Sequence, residues 1–501
     1  MDSELRVRPH WDSPLRALLE QQDVAAVQSL ILAKDDSVYS AGLANVLPDR
    51  PPVRFLEMCP PETAQVDNYH FSTLCAQALA VRTRDFKAVQ GFAARYVYDL
   101  RGADLCLRLA NSGFGVARVS TGSIAYGIDL ENMPTRRSEI SDRRQFVETW
   151  GSELPNETNF YTSLGLQIAD FDRDHVKAPT PKPILKASED SPEVWGLRYA
   201  AGGGPRGDFW GDTAFVDSLR HSLEQQGKRV VTYRRGANER SINAIDHVNV
   251  VIRGLERISP FPGKINILWV ISHSDDVSAE EMAGYDLVYA ASEKWARKMT
   301  QRTGVEVRTL HQATDATRFN PRVVPDSKQR GPLFVGSVHP GRSRRIVETA
   351  LAASAPITVI GKGWAQRLSS DTFEREYVDN RELAAFYRSA THVLADHWTD
   401  MAEQGFIQNR IFDAVACGVP VVSDRVEGLE EMFGGAVQCY ESAADLKRLL
   451  SPEGAAEFPS RAEIEEIAEM VLRLHSFDAR ARTLISDAEQ VQAQRQGWLN
   501  V

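Results

Sequence analysis

Residues 403–424 read Glu403-Gln-Gly-Phe-Ile-Gln-Asn-Arg410-Ile-Phe-Asp413-Ala-Val-Ala-Cys-Gly418-Val-Pro-Val-Val-Ser-Asp424, and the side-chain types in that run suit a nucleoside diphosphate. A helix starting near Gly405 or Phe406 puts Asn409 and Asp413 one turn apart, with Arg410 three residues before Asp413. Arg410 presents a planar fork of donors to phosphate oxygens. Asp413 can accept hydrogen bonds from the paired hydroxyls of a ribose. The start of the helix adds unpaired N–H groups and a partial positive charge. Gly418 then stops the helix and Pro420 opens a strand.

Several other polar loops each follow a run that reads as a strand. Gly336-Ser-Val-His339-Pro-Gly341-Arg342-Ser-Arg-Arg345 combines a Gly/Ser loop with arginines, as a diphosphate needs. Gly361-Lys362-Gly-Trp364 and Asp396-His397-Trp398-Thr-Asp400 belong to the same rim, and His273 follows Asn266-Ile-Leu-Trp-Val-Ile271. His273 is therefore expected at a cleft, where it is either a proton handler or a hydrogen-bonding bystander, the first being favoured. Gly202-Gly-Gly-Pro-Arg-Gly207 matches G-x-G-x-x-G in form, but Pro205 interrupts it and the next strand ends in Arg234-Arg235 rather than an acid. Gly203, Gly204 and Asp208 are accordingly assigned to a flexible loop on the acceptor side, with NADP binding as the alternative. No spaced set of His, Cys and acidic residues points to a metal.

The elements that must position these loops are short apolar runs alternating with helical patterns. Gly196–Ala201, Arg229–Tyr233, His247–Ile252, Asn266–Ile271 and Tyr285–Ala290 form one series. Pro332–Gly336, Ile357–Gly361, His392–Ala395 and Val419–Ser423 form a second. Parallel strands covered on both faces look like this, and two such series imply two doubly wound α/β domains facing a cleft. A Pro-rich stretch, 176–192, reads as a linker, and 462–490 reads as a charged helical tail. At 501 residues the chain is long enough for several domains. Its net charge of -10 argues against a general nucleic-acid binder. The five cysteines form no CxxC pair, no apolar run is long enough to span a bilayer, and no signal-peptide pattern opens the chain. A cytoplasmic location is the resulting expectation.

The motifs Leu268-Trp-Val-Ile-Ser-His273, Asp286–Ser292, Leu310-His-Gln-Ala-Thr-Asp315, the Asp396–Asp424 run and His475-Ser-Phe-Asp-Ala-Arg480 together resemble GT-B glycosyltransferases of the CgeB-like type, related to family 4. The resemblance covers roughly 193–485. It implies a nucleotide-sugar donor, transfer with retention of configuration, and an E-x7-E pattern whose second position matches Asp413. The first position falls on Gly405, and Glu403 is the nearest acid. Asp23–Gln28, Thr73–Phe86, Gly91-Phe92 and Ala103–Phe114 resemble the acceptor half of family 2 GT-A glycosyltransferases. Arg101-Gly102 replaces the acidic pair of that family, and the preceding nucleotide-binding strands are missing, so this part is expected to be a truncated or degenerate half-domain.

These readings give five segments: a partial GT-A-like domain over 1–175, the linker 176–192, an acceptor-side domain 193–313, a donor domain 314–478 and a tail 479–501. The expected activity is metal-independent transfer of a sugar, with no cofactor beyond the nucleotide sugar, to a glycan or lipid-linked acceptor in surface-polysaccharide synthesis. Gly336, Arg342, Arg345, Lys362, His397, Gly405, Phe406, Asn409, Arg410 and Asp413 are assigned to the donor, and His273, Asp400 and Glu403 to catalysis. Peripheral membrane contact fits a lipid-linked acceptor. A sugar-nucleotide epimerase, an NADP-dependent reductase and an inactive glycan-binding scaffold are the rival readings.

Overall fold

The computed structural model describes residues 4–97, 100–129, 137–172, 182–338 and 344–499. Arg342 and the first part of the Pro-rich stretch lie outside the described residues. The fold is mixed α/β with parallel sheets, the class expected from the sequence. The chain forms two compact units, one of 1–213 with 228–249 and 261–264, the other of 214–227, 250–260 and 265–501.

In the first unit, strand Val24–Ala33 is buried at every position and runs parallel to Val116–Ile128. It also pairs antiparallel with Val38–Ser40 and Leu79–Val81. Lys182–Ala187, inside the stretch read as a linker, is a strand antiparallel to Leu166–Asp172. Its Leu185 N–H donates to Asn243 Oδ1 at 2.7 Å, and Pro183 lies within the paired strand opposite Phe171. Val194–Arg198 and Arg229–Tyr233 run parallel to each other. Val194, Val231 and Tyr233 share one apolar cluster with Leu30, Phe55 and Leu105. Asp104, within the GT-A-like motif, is buried and fully occupied: it accepts from Arg95 and Arg108 at 2.8 Å each and from Trp150 Nε1 at 3.1 Å.

In the second unit, Ile265–Val270, Leu287–Ala290 and Arg308–Thr309 are consecutive parallel strands. A separate six-stranded sheet has the order Phe373–Arg375, Thr358–Ile360, Leu333–Val335, Val393–Ala395, Val421–Ser423, Val437–Cys439. Its pairings are all parallel. Numbered along this sheet, the order is 3-2-1-4-5-6, that of a dinucleotide-binding fold. The two edge strands, Phe373–Arg375 and Val437–Cys439, are three residues long and carried no clear period in the sequence. The charged tail is two helices, Arg461–Leu474 and Phe477–Leu499. The break between them is used: Thr314 N–H donates to His475 O, and Phe477 N–H donates back to Thr314 O, each at 2.9 Å. The last helix then reaches the earlier strands, with Arg308 Nη1 2.9 Å from Asp487 Oδ2 and Arg495 Nη2 2.6 Å from Asp286 Oδ1.

Two strands of the six-stranded sheet meet at glycines. Gly336 N–H donates to Ile360 O at 2.8 Å, and Gly361 takes φ +152°. A Cβ on Gly361 would lie 2.2 Å from Gly336 O, a contact with backbone that no side-chain movement relieves. Gly361→Ala is expected to destabilise the protein by about 2 kcal/mol or more, read as a lower urea midpoint.

Candidate functional site

Adjacent strands Leu333–Val335 and Val393–Ala395 mark the point where the strand order reverses. Their carboxyl ends leave a crevice, because the chain departs to opposite sides from each. Phe334 is fully buried there. Two guanidinium groups lie against its ring, Arg344 at 5.7 Å and Arg410 at 5.3 Å from the centroid. Arg344 is buried, stacks on Trp398 at 4.1 Å, donates from Nε to Ser337 O at 3.3 Å and from Nη1 to Asp396 Oδ1 at 3.2 Å. Arg410 stands beside Gly336, where an added Cβ would be 3.3 Å from its Nη2. Among the described residues, Arg410 Nη1 and Asn409 Oδ1 are buried without a hydrogen-bond partner. Burial raises the Asp396 carboxyl above its ordinary range, against the pull of Arg344 and Arg410.

Helix Asn409–Ala416 begins three to four residues later than the sequence suggested. Residues before it form a loop in which Gly405 takes φ +79° and an added Cβ would lie 3.0 Å from Ser292 Oγ and 3.1 Å from Lys294 Cβ. Ser292 Oγ donates to Gln404 O at 2.6 Å, and Phe406 is buried against Trp295. The helix ends as expected: Gly418 N–H donates to Val415 O and Val419 N–H to Ala414 O, at 2.8 and 3.2 Å, with Gly418 left-handed. These paired bonds satisfy two carbonyls that the helix end would otherwise leave bare.

Asp413 differs from its assignment. Thr314 Oγ1 donates to Asp413 Oδ1 at 2.7 Å and Asn409 Nδ2 to Oδ2 at 3.0 Å, in a buried position. Both oxygens are therefore engaged within the protein, tying the helix to the 310–315 crossing. Burial pushes its pKa up to about 7, opposed by the Thr314 bond and Arg318 and aided by Asp315. His397 is buried as well, its side chain 0% exposed. Its Nδ1 lies 2.7 Å from Asp424 Oδ1, and Gln408 N–H donates to its Nε2 at 3.1 Å.

The remaining assigned residues fall into three groups. Lys362 is on the rim, its backbone N–H 3.2 Å from Ser337 Oγ, and Arg345 is exposed in the first turn of helix Arg345–Ala352. Asp400 and Glu403 belong to the short helix Thr399–Glu403, partly buried and exposed respectively. His273 is half-buried with a left-handed φ of +51°, unusual for a residue with a side chain, and its Nδ1 is 3.0 Å from Ser272 Oγ. Its loop joins the site through Asp275, which accepts from Gln404 Nε2 at 3.2 Å.

Gly203, Gly204 and Asp208 belong to the other unit and to a tightly bonded loop. A Cβ on Gly203 would lie 2.2 Å from Lys34 O, and Gly204 N–H donates to Asp36 Oδ1 at 2.9 Å. Arg234 spans Asp36 and Asp208, at 2.9 and 2.8 Å. Sequence reasoning passed over Arg344, Asp396, Thr314, Gln408 and Asp424. Asp396 and Asp424 had one available signal, since each is an acid directly after an apolar strand. Among the described residues no group of three or more His, Cys, Asp or Glu side chains is placed to hold a metal.

Residues 342–486 match a family model described as glycosyl transferase-like. The matched span takes in strands Val393–Ala395 and Val421–Ser423 and helix Asn409–Ala416, and begins after strand Leu333–Val335. No curated protein matches the chain. Similar solved structures include AviGT4, a glycosyltransferase involved in avilamycin A biosynthesis, at 17% identity and TM-score 0.44, covering 60% of this chain and 98% of that one. Sucrose-phosphate synthase from Thermosynechococcus elongatus is 14% identical with TM-score 0.41, covering 60% and 100%. Anabaena Alr3699/HepE, solved with UDP-glucose, is 13% identical with TM-score 0.40, covering 58% and 99%.

The Asp413 carboxyl has a testable signature. A folded-state pKa raised to about 7 means the folded chain holds this proton more tightly than the unfolded chain. Its contribution is complete below the ordinary carboxylate pKa and is lost as pH rises through about 7. In urea unfolding, stability relative to Asp413→Asn should fall as pH is raised from 5 to about 8. A flat difference between the two proteins would show that the carboxyl is not perturbed.

Proposed function

We propose that this protein is a GT-B glycosyltransferase that moves a sugar from a nucleotide-activated donor to a glycan or lipid-linked acceptor. The observation that carries the reading is the pair Arg344 and Arg410, both against the Phe334 ring at the strand-order reversal and both inside the segment that matches the glycosyl transferase-like model. Arg344 is already neutralised by Asp396. Arg410 keeps a buried N–H without a partner, a loss of about 1–3 kcal/mol that a phosphate oxygen would offset.

The chemistry follows from charge. When the glycosidic bond to the donor breaks, negative charge grows on the leaving diphosphate. Arg410, fixed against an aromatic ring before that charge develops, stabilises it without reorganisation, and Arg345 and Lys362 add positive charge from the rim. This role replaces a metal ion. Asn409 Oδ1, buried and unpartnered, is the acceptor best suited to a ribose hydroxyl, because Asp413 is already engaged. Asp400 and Glu403 face the sugar end, and His273 handles the acceptor's proton. Retention of configuration, a part in surface-polysaccharide synthesis and action in the cytoplasm complete the proposal. No described helix is long and apolar enough to cross a membrane, and the proposal takes contact with a lipid-linked acceptor to be peripheral.

The NADP reading loses its main support, because Arg234 is held by Asp36 and Asp208. Incubation with a panel of nucleotide sugars and candidate acceptors, without added metal, should release nucleoside diphosphate. Release of an epimerised sugar would instead identify an epimerase. Stabilisation by NADP and by no nucleotide sugar or nucleoside diphosphate would overturn the proposal. Arg410→Ala should weaken nucleoside diphosphate binding roughly tenfold or more in calorimetric titration, given about 1.5–3 kcal/mol for a charge-assisted bond.

A further inference from the structure

The His397 side chain is buried, and its bonds reach the residue that precedes helix Asn409–Ala416. Strands Val393–Ala395 and Val421–Ser423 are in register, with Ala395 opposite Ser423. The residues that follow them, Asp396-His397 and Asp424, are therefore brought side by side. Asp424 accepts from the His397 backbone N–H at 3.1 Å through Oδ1, and Oδ1 also lies 2.7 Å from His397 Nδ1. A carboxylate oxygen only accepts, so Nδ1 carries the proton. Nε2 must then be the bare nitrogen, as its acceptance of the Gln408 N–H at 3.1 Å requires.

Gln408 is the residue preceding helix Asn409–Ala416, and its side chain does not cap that helix. The Gln408 amide instead donates from Nε2 to Asp396 O at 2.8 Å. Residues 396–397 thus grip Gln408 at two points, its backbone N–H and its side chain. The next two residues are Asn409 and Arg410, the ones with unpartnered buried polar atoms. A shift at Gln408 moves both.

We propose that His397, held as the Nδ1–H tautomer by Asp424, is a positioning residue whose bare Nε2 fixes Gln408 and thereby sets Asn409 and Arg410 for a nucleoside diphosphate. This rests on the donor site assigned above. The two ring nitrogens have separate roles, and amide side chains can mimic them one at a time. His397→Gln keeps an acceptor near the Nε2 position, whereas His397→Asn keeps only a donor near Nδ1.

The test uses the full chain with UDP, ADP and GDP as probes in calorimetric titration. His397→Gln should stay within about threefold of the wild-type dissociation constant, and His397→Asn should be weaker by about tenfold or more. Equal losses in the two variants, or the larger loss in His397→Gln, would overturn the proposal, since an imidazole needed only for packing would not distinguish them. Two readouts need no ligand. In the wild-type protein, nitrogen-15 NMR at neutral pH should find the proton on Nδ1; a proton on Nε2 would refute the assignment. Amide hydrogen exchange at Gln408 should be slow in the wild type and in His397→Gln, and fast in His397→Asn; unchanged exchange in His397→Asn would also refute it. If none of the probes binds the wild type, the proposed function fails, while the NMR and exchange results still decide the role of His397.

Discussion

Two neighbouring parallel strands, Leu333–Val335 and Val393–Ala395, send their chains to opposite faces of the sheet, and the candidate site depends on the gap this leaves. Every other strand end in a parallel sheet is partly covered by the connection from its neighbour. At the reversal no connection crosses, so the ends of both strands stay open. The gap is then furnished by what immediately follows each strand. Gly336 lets Arg410 come close, and Asp396 holds Arg344 across the opening. Val421–Ser423, next in the sheet, contributes Asp424.

Electrostatics inside the gap are deliberately unequal. Arg344 has a carboxylate partner and an indole face, which immobilise it and cancel much of its charge. Arg410 has an aromatic face and no carboxylate within the described ion pairs, and it meets the Asp396 charge only at longer range. Buried cations without counter-charges are costly, and sites that bind anions are where that cost is recovered. Asp413 shows the opposite arrangement. Its carboxyl is taken out of water and satisfied by Thr314 and Asn409, which joins the helix to the point where the chain crosses between the strand series. The return crossing at His475–Phe477 closes on the same Thr314.

Much of the architecture was legible in the sequence. The apolar runs around Arg229–Tyr233, Ile265–Val270, Leu333–Val335 and Val421–Ser423 were recognisable because parallel strands buried on both faces carry nearly unbroken hydrophobic stretches. The Gly418 stop was legible because the left-handed turn favours glycine. Other features were not. The strand Lys182–Ala187 carries a proline and lysines, and only its partner Leu166–Asp172 makes it a strand. The glycines 202–204 looked like a flexible loop, whereas Gly203 is needed for close approach to Lys34.

The sequence by itself determined the class of fold, the strand ends that carry polar loops, and the presence of arginine and asparagine at the start of one helix. Local periodicity and turn chemistry carry those features, and both depend on residues near one another in the chain. Only the tertiary structure decided which polar side chains face the gap and which are consumed in holding it. Asp413 and His397 have the right chemistry for a ligand, but Thr314 and Asp424 reach them first. Arg344 and Arg345 are adjacent in sequence, yet one is buried against Asp396 and the other is exposed. A hydrogen bond is short-ranged and directional, so its partner is set by packing between distant segments, which residue types and spacing do not encode.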